Sequence, residues 1–83
     1  MEIFYTYKAA EQLEKLPVTV QKRIIDKMCF YASQENPLKF AEYLKDYREG
    51  EYRFRIGDYR LTFDIKENTI YILKIAKRDK VYK

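Results

Sequence analysis

The sequence has no histidine, no tryptophan, one cysteine, two glycines and two prolines. Without histidine, and with Cys29 alone, it offers no ligand set for zinc or another transition metal. Its acidic residues are scattered, so the clustered carboxylates of a two-metal nuclease are lacking as well. A lone cysteine forms no internal disulfide. Cys29 sits in a helical pattern and reads as a small buried hydrophobe in a reducing cytoplasm. No apolar run approaches the roughly 20 residues of a membrane-spanning helix. The opening MEIFYTYKAAEQLEK has no signal-peptide layout. No repeat, linker or low-complexity tract is present. These absences predict a soluble cytoplasmic protein with no cofactor, no metal and no membrane partner.

What is present belongs to a small globular domain. Apolar residues make up 47% of the chain, with nine tyrosines and five phenylalanines, and 83 residues suit one domain spanning 1–83. The net charge of +4 is unevenly placed. Residues 1–44 carry six basic and six acidic side chains, whereas 45–83 carry eleven and seven. The last ten residues, KIAKRDKVYK, hold five basic groups against one acidic. Such asymmetry points to an acidic or polyanionic partner at one end of the molecule.

The pattern predicts β-α-α-β-β-β, an α+β fold in which an antiparallel sheet carries a helical hairpin on one face. EIFYTY (2–7) suits a strand, and Thr6 can cap a helix bearing Ala9, Leu13 and Leu16 on one face. Pro17 fits the first turn of a second helix reaching about Ser33. Its stripe is Val20, Ile24, Met28 and Tyr31, with Ile25 and Cys29 alongside. Asn36-Pro37 ends that helix. PLKFAEYLKDYREG (37–50) reads as a long loop or a short helix near 38–44, closing in an exposed turn at Gly50. Strands are expected over 51–56, 59–65 and 69–76, joined at Gly57-Asp58 and Glu67-Asn68.

Strand parity then sorts YRFRIGDYR. Tyr52, Phe54, Ile56, Tyr59, Leu61 and Phe63 share one face with Tyr5 as core, while Arg53, Arg55 and Arg60 take the other. A two-residue turn sets Arg55 opposite Arg60, a pairing that destabilises a sheet by up to about 1 kcal/mol. Arg53 has Glu51 on its own face and Asp64 diagonally across as compensation. Arg55 and Arg60 either grip a phosphate through bidentate hydrogen bonds or extend into water. Lys74, Lys77, Arg78, Lys80 and Tyr82 add cations and a ring near the same end, a makeup suited to RNA. Tyr43, Tyr47 and Arg48 lie in the uncertain stretch and suit a partner surface.

RIGDYR followed by an apolar strand and KRDKVY, with LEKLPVTVQKRI and YLKDYREGEYRFRIGDYRLTF upstream, resembles the RelE/ParE superfamily of toxins from type II toxin–antitoxin pairs. The similarity spans nearly the whole chain. It implies a cognate antitoxin as partner. In the RelE-like branch it also implies ribosome-dependent endoribonuclease action on translated mRNA. The basic positions of that branch fall on Arg53, Arg55, Arg60, Arg78 and Tyr82, and Arg78-x-x-x-Tyr82 favours it. Arginines stand where nuclease members often carry lysines, and Ala76-Lys77 stands in place of a Gly-His lead-in.

Under that resemblance Arg60 and Arg78, supported by Arg55, stabilise a phosphorane formed by attack of the RNA 2′-hydroxyl, while Tyr82 stacks on a base. Arg53, Lys74, Lys77 and Lys80 bind RNA. Arginine carries no exchangeable charge at working pH, so proton transfer falls to Lys77, Lys80, the ribosome or the RNA. Two rivals stand beside this reading: a ParE-like inhibitor of DNA gyrase without nuclease chemistry, and an inactive module that binds RNA or antitoxin.

Overall fold

The computed structural model describes residues 1–44 and 50–77. β1 (Glu2–Tyr5) leads directly into α1 (Tyr7–Glu14), whose start is capped by Thr6: its Oγ1 accepts the Ala9 backbone N–H at 3.2 Å. α2 spans Val18–Ser33. Pro17 precedes its first turn as the capping residue rather than lying inside it. Asn36 caps a single 3-10 turn, Pro37–Phe40, accepting from the Leu38 N–H at 3.2 Å. Within the uncertain stretch, the described residues form that turn and a two-residue strand, β2 (Glu42–Tyr43).

β3 (Tyr52–Ile56), β4 (Tyr59–Lys66) and β5 (Thr69–Lys77) form the expected meander, and the sheet order is β1-β5-β4-β3-β2. β3 pairs antiparallel with β4 and β4 with β5, but β1 runs parallel to β5. The sheet is therefore mixed rather than wholly antiparallel. Alternation of apolar residues records which face a strand buries and carries no sign of its direction. Beyond the end of β1, α1 covers the exposed edge of β5. Gln12 Oε1 accepts the Ile75 N–H at 2.7 Å, and the Thr6 hydroxyl donates to Leu73 O at 3.4 Å.

The core fills the space between the helices and one face of the sheet. Ala9, Leu13, Ile24, Met28, Phe54, Leu61, Phe63, Ile70, Ile72 and Ile75 are buried there. Tyr5, Leu16, Val20, Tyr52 and Tyr59 pack against them half-buried. Phe54 is stacked between Phe63, 4.2 Å between ring centroids, and Tyr31, 4.4 Å away. Cys29, expected inside, is exposed, as is Ile25. A single helix face seats on the flat sheet, so the flank of the apolar stripe stays in water.

The two hairpins set the register. Gly57, at φ +60°, opens a two-residue turn that places Ile56 opposite Tyr59. Glu67 and Asn68, at φ 51° and 63°, form a second two-residue turn with both residues left-handed.

Candidate nucleic-acid interface

The face of the sheet away from the helices carries the charge, in two rungs perpendicular to the strands. Glu42, Arg53, Thr62 and Lys74 form one; Arg55, Arg60 and Ala76 form the next. Neighbouring strands lie about 4.8 Å apart, so Arg55 and Arg60 stand opposite each other at the turn end of the sheet, with Arg55 Nε bonded toward Glu42.

Lys74 reaches this face through an irregularity. Thr62 pairs with Lys74 but Phe63 pairs with Ile72, leaving Leu73 as an extra residue in β5. The bulge reverses the alternation within the strand. Ile70 and Ile72 face the helices, and so does Ile75, while Lys74 turns outward with the arginines. A regular strand would have put Lys74 on the core side.

Arg53 is compensated otherwise than expected. Glu42 Oε1 accepts from Arg53 Nε at 3.0 Å and Nη2 at 2.8 Å, and from Arg55 Nε at 3.2 Å. Asp64, the anticipated partner, instead accepts the Glu51 backbone N–H at 2.7 Å. The Arg53 guanidinium holds the Glu42 carboxyl below the usual carboxylate range, with Arg55 adding to the effect. Glu42 was missed because two residues are too short for an alternation signal, and their pairing with β3 arises only in the folded chain.

Gly50 is buried and closes the chain over the middle of this face. A Cβ there would lie 2.7 Å from Thr62 Cγ2 and 3.2 Å from Leu73 Cδ1, and its φ is +133°. Thr62, only 7% exposed, is covered as a result. Gly50, expected at the end of an exposed turn, therefore lies buried against the sheet.

Lys77 does not join the arginines. It pairs with Tyr59 at the last rung and so takes the parity of the helix-facing side, where it is exposed. Tyr43 is exposed beside Tyr52, with ring centroids 5.0 Å apart. Tyr47, Arg48, Arg78, Lys80 and Tyr82 lie outside the described residues.

The family model for the ParE toxin of the type II toxin–antitoxin system matches residues 3–82. The chain belongs to this toxin family, within the RelE/ParE superfamily. The toxin's fold matches the RelBE2 toxin–antitoxin complex of Mycobacterium tuberculosis at 28% identity and TM-score 0.80, covering 93% of this chain and 96% of the other. The RelB–RelE antitoxin–toxin complex of Methanococcus jannaschii matches at 25% identity and TM-score 0.65, covering 89% and 88%. Isolated E. coli RelE shares the fold at 14% identity and TM-score 0.76, covering 96% and 86%. Comparison with curated protein sequences gave no significant match. In this toxin the described part of the charged face is thus Arg53, Arg55, Arg60 and Lys74, with Glu42 as an internal counter-ion.

Proposed function

We propose that the toxin is a ribosome-dependent endoribonuclease that cleaves translated mRNA and is held in check by a cognate antitoxin. One observation carries the reading: three guanidinium N–H groups from Arg53 and Arg55 converge on a single carboxylate oxygen, one rung from Arg60. A site that seats one anionic oxygen in this way is suited to a phosphate oxygen.

The RNA 2′-oxygen attacks the adjacent phosphorus and the 5′-oxygen leaves. The products are a 2′,3′-cyclic phosphate, which opens to a 3′-phosphate, and a 5′-hydroxyl. Arg60, with Arg55 and Arg78, stabilises the charge that grows on the phosphorane, a role in which one donor is worth about 3–4 kcal/mol. Arg53 and Lys74 hold the flanking backbone, and Tyr82 stacks on a base. Arginine neither accepts nor releases a proton at working pH, and Lys77 sits across the sheet from Arg60. Proton transfer is therefore left to Lys80, the ribosome or the mRNA, and in-line alignment to the ribosome, which accounts for the dependence on translation.

The family model that matches is that of ParE, which favours a second reading: a gyrase inhibitor whose arginines are contact residues. Primer extension in a translating extract separates the two. New mRNA ends inside translated frames, lost in Arg60→Ala and Arg78→Ala, are expected. Inhibition of gyrase supercoiling by the wild type without new ends would instead assign the ParE-like activity.

A further inference from the structure

The same end of the molecule carries a second set of cations that the sheet face does not include. Arg23 and Lys27, four residues apart, share one stripe of the exposed face of α2, and Lys22 lies on its flank. Asp26 lies within a turn of all three, yet none is ion-paired among the described residues. With Thr19 and Phe30 these residues line an open groove of about 580 Å³. Phe30 closes the stripe, 48% exposed, with Lys27 Nζ 5.9 Å from its ring centre. The ring is braced edge-on by Tyr31 at 5.9 Å and Phe40 at 5.8 Å.

One contact joins this stripe to the charged sheet. Arg23 Nη1 lies 3.0 Å from where a Cβ on Gly57 would stand, so the guanidinium rests on the turn between Arg55 and Arg60. Lys77, paired with Tyr59 rather than Arg60, ends β5 on the helix side. The cations therefore continue from the sheet, around the Gly57 turn, to Arg23 and along α2.

We infer that the α2 stripe of Lys22, Arg23 and Lys27 is a second RNA-backbone contact, continuous with the sheet face, in which Phe30 offers a ring for one base. It rests on the RNA-directed reading above and extends the footprint to a strand that wraps the end of the molecule. Cations without an ion pair among the described residues, beside an exposed aromatic, are the combination that tracks a single strand. An acidic protein segment is the competing occupant, and the experiment separates it from RNA.

The test measures binding of a fluorescein-labelled oligouridylate by anisotropy across a salt series. Each cation in contact with single-stranded RNA adds about 0.7 to the slope of log K against log salt. Lys22→Gln/Arg23→Gln/Lys27→Gln is expected to lower the slope by about 2, and Arg23→Gln alone by about 0.7. A control with the same charge loss, Lys8→Gln/Lys15→Gln/Lys39→Gln, should leave a steeper slope than the stripe variant. An unchanged slope in the stripe variants, or an equal fall in the control, overturns the inference. So does loss of poly-glutamate binding in the stripe variant with RNA binding intact, which would give the surface to an acidic protein. Arg55→Gln/Arg60→Gln is measured in parallel. If it leaves the slope unchanged, the sheet-face reading itself fails, whatever the stripe variant does.

Discussion

Replacing Glu42 by glutamine should make the toxin less stable and a better binder of RNA. The carboxylate oxygen receives three N–H groups, from Arg53 at 2.8 and 3.0 Å and Arg55 at 3.2 Å. Side-chain exposure is 23% for Arg53 and 45% for Glu42, so solvent screens the pair. Exposed pairs of this kind are worth about 0.2–1 kcal/mol. Because the folded carboxyl titrates below its ordinary range, this stabilisation is complete above the unfolded value, near pH 4.3, and is lost as pH falls through the lowered one. Urea unfolding at pH 7 should therefore show Glu42→Gln weakened by about 0.2–1 kcal/mol. The difference from wild type should shrink in acid. RNA binding should move the opposite way. Loss of one negative charge beside two guanidiniums should raise oligouridylate affinity about three- to tenfold at low salt, a gain that fades as salt rises. The assay is anisotropy on the same preparations used for unfolding. Affinity that stays constant or falls while stability drops would mean that phosphate does not approach Arg53 and Arg55, and the reasoning would be refuted.

Gly50→Ala should cost about 1–3 kcal/mol in urea unfolding, because the new methyl meets Thr62 Cγ2 at 2.7 Å and the φ of +133° disfavours a side chain; a neutral result would show that the chain does not close on the sheet. Glu67→Asn should stabilise by about 0.5–1 kcal/mol, raising Tm, since φ 51° at a two-residue hairpin turn suits asparagine better than glutamate. Burial, and secondarily the charge of Cys29, pushes the Tyr5 hydroxyl up to about 12. Folding stability tied to neutral Tyr5 is therefore complete below the unfolded value, about pH 10, and is lost as pH rises from there through about 12. Alkaline denaturation of Tyr5→Phe should accordingly be shallower than that of the wild type.

The sequence alone determined the elements that local chemistry writes. Thr6 caps α1, Gly57 opens the turn that sets Arg55 against Arg60, and strand parity separates Phe54, Leu61 and Phe63 from the arginines. These follow from dihedral preference and two-residue alternation, which neighbours along the chain already specify. Only the tertiary structure decided how distant segments meet. The parallel seat of β1 on β5, the pairing of Glu42 with Arg53 and the closure of Gly50 over Thr62 join residues with no local signal for one another. The bulge at Leu73 is of the same kind. It arises from fitting β5 against β4 while Gln12 takes the Ile75 N–H, and it turns Lys74 toward the arginines and leaves Lys77 on the far side. Which cations share a face is therefore a property of strand register, and register is settled by packing across the sheet rather than by the order of residues within one strand.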